Sequence, residues 1–360
     1  MTFLPRAGCR SLAAVLISLI VCERSGAQTA EAYEKEAAQD IGYLADYYIS
    51  QSRANYIRSE APGHLGLDGA GSIVGIGDSP YLGETHIDMR GRHAVLDRGI
   101  SNNGYPSNHG NHTSGTVGGN GNRHPRFAGV APAATLYSAN MESSWKIGLT
   151  QLEPPHIFSN SWNTSDPVYT DWYEQKGRYN INSQEIDLLC LDHPDKLFVF
   201  SSGNSGGTQD GYPDDYLLVN PSFGAAKNTL VVGRLGDTAG YSFVSPFGPT
   251  RDGRIKPDLV ATNKIIAPVD NHAYDRKDGS SMSTPLVAGV AALISQHYRN
   301  RNDGRNPDAG LLKAILMNSA DNLGSQGPTF AGGFGAVNAR RAAAVVTNRQ
   351  FHTGDVSEGQ

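Results

Sequence analysis

Short apolar runs recur along the chain, each bounded by turn-forming residues. The first covers residues 72–77 and is entered through the turn-rich patch 61–66. Others lie at 134–138, 156–159, 197–200 and 229–233. Short apolar runs of this kind fit strands buried on both faces. Apolar positions at helical spacing predict helices over 184–191, 285–297 and 309–319. Strands separated by helices imply βαβ units and a parallel sheet covered on both sides. The expected fold class is therefore α/β, with three layers: a doubly wound, mostly parallel sheet and helices on both faces.

The run that begins at Pro285 is apolar on every side, so it predicts a buried helix. Proline suits a first helical position, where no N–H is needed. The amino end of that helix is then expected beside the string Gly279-Ser280-Ser281-Met282-Ser283-Thr284. A helix start favours developing negative charge, which makes Ser281 a candidate nucleophile. A serine hydroxyl needs a base, and His109 in His109-Gly110-Asn111-His112 is a candidate that titrates near neutral pH. Asp78 ends the first apolar run and is a candidate to orient that imidazole. Asn204 closes another run in the glycine-rich turn Ser202-Gly203-Asn204-Ser205-Gly206-Gly207, where its carboxamide can face a cleft as an oxyanion donor.

Composition narrows the setting. The chain has 360 residues, 39% apolar and 18% charged, which is ordinary globular chemistry. A net charge of -5 argues against a nucleic-acid footprint. Residues 1–27 have the form of a secretory signal peptide. Arg6 and Arg10 precede a short apolar stretch, and Ser25-Gly26-Ala27 supplies small residues for a cut after Ala27. The expectation is a secreted or periplasmic protein with no membrane segment after cleavage. Cys22 offers a lipid-attachment alternative, but Val21 before it is not small. Cys190 is then the one cysteine left, in an apolar helical stretch that reads as a buried face rather than a thiol site. Residues 28–65 are expected to form an N-terminal leader or extension, with one or two helical turns within 29–51. Residues 347–360 form a tail that reads either as a loose end or as the start of a C-terminal β-domain.

Several strings resemble the subtilisin-like (subtilase) serine proteases. Gly279-Ser280-Ser281-Met282-Ser283-Thr284-Pro285-Leu286-Val287-Ala288-Gly289 resembles that family's nucleophile motif, usually written GTSMAxPxVAG. The run from His109 to Val117 resembles HGTHVAGTV. The run from Val74 to Pro80 resembles the family's hydrophobic strand ending in an aspartate, and Ser202-Gly203-Asn204 resembles AGN. The order Asp, His, Ser along the chain is also that of subtilisin. The resemblance spans roughly residues 66–346, the expected catalytic domain.

It implies a subtilisin-like fold and a serine endopeptidase working through an acyl-enzyme. Asp78 would orient, His109 act as base and then acid, and Ser281 attack. Asn204 and the Ser281 N–H would form the oxyanion hole. Ser161, Trp162 and Gly203 would bind substrate, Ser161 and Trp162 in a strand that pairs with the substrate backbone. For the Trp162 side chain a core role is an equal alternative. The expected partners are polypeptide substrates, with no nucleic acid, and the expected state is a monomer. No metal ligand is assigned and no cofactor is expected. The stretch 118–127 is short where some members insert a calcium-binding loop, so the resemblance admits structural calcium but nothing in the sequence supports it. The spacing of His109 and His112 admits a metal reading, but no matching ligand motif accompanies it. Asn163 replaces a common glycine, which implies a narrower or reshaped pocket. Asp258 beside Lys256 reads as a turn ion pair. Two rival readings are a catalytically silent peptide-binding module on the same fold and an α/β-hydrolase esterase. The esterase class expects Gly-x-Ser-x-Gly and the order Ser, Asp, His, neither of which is present.

Overall fold

The computed structural model describes residues 48–59, 64–78, 86–97, 108–141, 143–164, 171–205, 219–235, 245–269, 272–323 and 327–354. The signal peptide, most of the leader and the last six residues of the tail lie outside these. The elements in chain order are α1 (Ala54–Arg58), β1 (Ile73–Asp78), β2 (His93–Val95), α2 (Asn108–Gly118), β3 (Thr135–Asn140) and α3 (Ser143–Gly148). Then come β4 (Ile157–Asn160), α4 (Trp172–Gln175), α5 (Ile181–Asp192), β5 (Leu197–Ser201), β6 (Leu230–Leu235), β7 (Leu259–Thr262), β8 (Ile265–Pro268) and β9 (Tyr274–Lys277). The chain closes with α6 (Ser280–Arg299), α7 (Ala309–Asn318) and α8 (Ala339–Thr347).

Seven strands form one parallel sheet in the order β2-β3-β1-β4-β5-β6-β7, and β8 and β9 pair as a separate antiparallel hairpin. The five expected strands correspond to β1, β3, β4, β5 and β6. Strands β4, β5, β6 and β7 are buried at every position, as a sheet covered on both faces requires. The chain winds outward from β1 in both directions, to β3 on one side and β4 on the other. That reversal opens a crevice at the carboxyl ends of the strands, where ligands bind in open α/β sheets.

α6 lies against β4, β5, β6 and β7 and also packs on α2 and α8. Every residue from 279 to 295 is buried, so an all-round apolar sequence meets protein on every side. The helix begins at Ser280, earlier than expected, and Pro285 sits inside it. Two glycines set how closely the helices seat. A Cβ at Gly289 would lie 2.6 Å from Val130 Cβ and 3.4 Å from the Val117 carbonyl oxygen, so α6 rests almost backbone to backbone on its neighbours. A Cβ at Gly115, inside α2, would overlap the Pro268 ring of β8. Residues 48–59 join the same core: Tyr48, Ala54 and Ile57 are buried in it, and Tyr48 Oη donates to the Ala128 carbonyl at 3.0 Å.

A second cluster lies around Trp145, Phe158, Trp162, Phe198, Phe200 and Phe223. Beyond α8, Phe351 brings its ring within 5.9 Å of Tyr298 at the end of α6.

Candidate active site

Three neighbouring strands deliver the site from their carboxyl ends. β1 ends in Asp78, β4 runs directly into Ser161-Trp162, and β5 runs into Gly203-Asn204. Asp78 is 3% exposed, and a buried carboxylate needs donors. His109, on the first turn of α2, supplies one: its Nδ1 lies 2.7 Å from Asp78 Oδ1 and 3.0 Å from Oδ2. The carboxylate accepts only, so Nδ1 carries the proton and Nε2 is the basic nitrogen. Thr113, one turn further along α2, donates from Oγ1 to Asp78 Oδ2 at 2.9 Å. The sequence reading passed over Thr113. Its spacing of four from His109 places both side chains on one helix face, and that was the available signal.

Burial of the His109 ring pulls its pKa down. The hydrogen bond and the charge of Asp78 outweigh this, Lys277 opposes them weakly, and the net shift is upward from the ordinary imidazole value.

Ser281 is the second residue of α6 and is 8% exposed. Its hydroxyl donates to the Ser161 carbonyl at 3.3 Å rather than to the His109 ring. In return Ser161 Oγ donates to the Ser281 carbonyl at 2.8 Å. Catalytic hydrogen bonds in unliganded sites are often long or misaligned and tighten only with substrate. A step between staggered χ1 rotamers is the motion that would turn the hydroxyl away from Ser161.

The Met282 and Ser283 N–H groups bond the Gly279 carbonyl, and the Ser280 N–H bonds Asn204. Among the described residues no acceptor meets the Ser281 N–H. The Ser280 N–H and hydroxyl reach Asn204 Oδ1 at 2.9 and 3.1 Å. An N–H can only donate, so this fixes the amide orientation: the oxygen of Asn204 is engaged and its NH₂ points the other way. Asn204 itself is exposed.

Gly203 has φ 108°, and a Cβ there would lie 2.5 Å from Asn220 Oδ1, so only glycine fits. The Trp162 side chain belongs to the core. It is 8% exposed and stacks on Trp145, with ring centroids 5.4 Å apart, leaving only its backbone for the crevice.

The other candidates take structural places. His112 is fully buried, and its Nε2 faces the Ile265 and Asp275 carbonyls at 3.0 and 3.1 Å, tying α2 to both strands of the hairpin. Burial pushes its pKa down to about 4. Among the described residues no group of three or more His, Cys, Asp or Glu could hold a metal ion. Burial raises the Cys190 thiol to about 12, so it is not a thiolate at neutral pH. Asp258 accepts from Lys256 Nζ at 2.6 Å, the expected ion pair, and both side chains are buried.

The chain is similar to several known proteins. The model of the Subtilase family matches residues 69–335. The serine protease AprX of Bacillus subtilis is 27% identical over 312 residues, covering 77% of this chain and 67% of AprX. The C5a peptidase of Streptococcus pyogenes is 34% identical over 130 residues, or 32% of this chain, and the match spans only 11% of that longer protein. Among solved structures, the CspB protease of Clostridium perfringens superimposes with a TM-score of 0.68 at 16% identity, over 85% of this chain and 99% of that one. The prenylagaramide maturation protease PagA gives 0.58 at 20% identity, over 77% and 94%. At such identities these two speak for the fold alone. With the family model matched across the crevice and all three strands that feed it, the chain belongs to the subtilase family.

Proposed function

We propose that this chain is a secreted serine endopeptidase that hydrolyses peptide bonds through an acyl-enzyme. The observation that carries this reading is the His109–Asp78 hydrogen bond of 2.7 Å at the crevice into which α6 presents Ser281.

His109 Nε2 takes the Ser281 hydroxyl proton as Oγ bonds to the scissile carbonyl carbon. Asp78 keeps the ring in the Nδ1–H form and stabilises the imidazolium. The tetrahedral oxyanion is received by the Ser281 N–H and the Asn204 NH₂, the donors that the surrounding bonds leave available. The imidazolium proton then passes to the departing amine as the carbon–nitrogen bond breaks. Water, deprotonated by the same nitrogen, hydrolyses the ester. The substrate backbone pairs with the chain at Ser161 and Trp162, beside the Gly203 wall, in the manner of strand addition. The substrates are polypeptides, the protein acts as a monomer, and none of these steps calls for a cofactor. The signal peptide supports export, with a mature chain starting at Gln28.

Purified protein should turn over casein and react covalently with a fluorophosphonate probe. Ser281→Ala should remove both activities. Undiminished labelling of that variant would assign the nucleophile elsewhere.

A further inference from the structure

Pro285 lies inside α6, four residues after Ser281. In an α-helix the N–H of residue i+4 bonds the carbonyl of residue i. Proline has no N–H, so Pro285 withholds from the Ser281 carbonyl its helical donor. A carbonyl in so buried a residue needs a donor from elsewhere. The donor is Ser161 Oγ, at 2.8 Å.

Ser161 is well placed to hold something still. It follows β4, which is hydrogen-bonded to β1 on one side and β5 on the other, and it is 7% exposed. Its own carbonyl accepts from the Ser281 hydroxyl, so the two serines exchange a pair of hydrogen bonds between sheet and helix.

We propose that the Ser161 hydroxyl is a positioning group for the nucleophile, standing in for the N–H that Pro285 lacks. It holds the peptide plane between Ser281 and Met282, and through the Ser281 Cα it steadies the direction of the Ser281 side chain relative to His109. This role uses the Ser161 side chain and is separate from any pairing of its backbone with substrate. It rests on the peptidase reading above.

The inference has a built-in control, because an N–H restored at position 285 makes the hydroxyl redundant. The experiment is a double-mutant cycle of Ser161→Ala and Pro285→Ala, read by the second-order rate of fluorophosphonate labelling and by kcat and KM on a peptide. In the Pro285 protein, Ser161→Ala should lower the labelling rate and kcat roughly 10- to 100-fold with KM little changed, the scale of a slightly misplaced reacting group. In the Pro285→Ala protein the same change should cost less than about threefold, since the backbone N–H takes over. Equal losses in the two backgrounds, or no loss with Pro285 present, overturn the proposal. Should Ser161→Ala fail to fold, Ser161→Thr against the isosteric Ser161→Val makes the same comparison. A parent protein that neither labels nor cleaves overturns the peptidase reading, and this one with it. A parent that labels, with equal losses, overturns this one alone.

Discussion

In the proposed reaction the His109 ring carries the pH response of the site. Its base form is needed for attack, and its pKa stands above the ordinary imidazole value. Activity should therefore fall as the pH drops through that raised value, with a midpoint above about 6.5. The charges around the ring give the direction of each shift. Lys277 disfavours the imidazolium, so Lys277→Ala should move the acid limb of kcat/KM to higher pH. Asp78→Asn removes the groups that favour the imidazolium, so it should move the limb to lower pH. It should also lower kcat on the order of 10⁴-fold, as loss of the orienting carboxylate does in another triad. An unmoved limb in both variants would mean that His109 is not the titrating base. For folding the sign is reversed. A raised folded pKa gives stability that is full below the unfolded value and lost as pH rises through the folded one. His109 thus stabilises the fold most where it works least.

At the scale of elements, the sheet was legible because its strands are buried on both faces and read as unbroken apolar runs. β2 was not: it is short, at the sheet edge, and only partly buried, so its composition carries little signal. β7 and β8 stand only two residues apart and merge into one stretch. The candidate triad residues and Asn204 stood out for a different reason, since each sits close to the end of an element and beside at least one glycine or serine. What escaped were relations between segments. Thr113 matters only once α2 faces β1, and Ser161 only once Pro285 is known to lie within α6 rather than at its start. The Lys256–Asp258 pair was visible in spacing but not in depth. Both side chains are buried, and Lys313 Nζ and the Val231 N–H also face Asp258. Burial lowers Lys256 to about 8. Lys256→Ala should destabilise the fold by roughly 2 kcal/mol, because the buried carboxylate loses its shortest charged donor and keeps only Lys313 and the Val231 N–H. A urea midpoint unchanged at constant slope would contradict this.

For the molecule as a whole, acid is the predicted weakness. His93 and His112 are held down to about 4 and His156 to about 3, in each case chiefly by burial. In the unfolded chain they protonate near 6.5, so below that pH the unfolded state binds more protons. Stability should decline from about pH 6.5 toward pH 4, and the urea midpoint should report it. His156→Gln should flatten that decline, and an equal slope in the variant would remove His156 from the account. The glycine seats of α2 and α6 bear on heat in a related way. With no side chain between α2 and Pro268, or between α6 and Val130, neither helix has a cushion that could yield first. Catalytic competence and the folded sheet should then vanish together, with casein turnover and ellipticity tracing one melting curve instead of two.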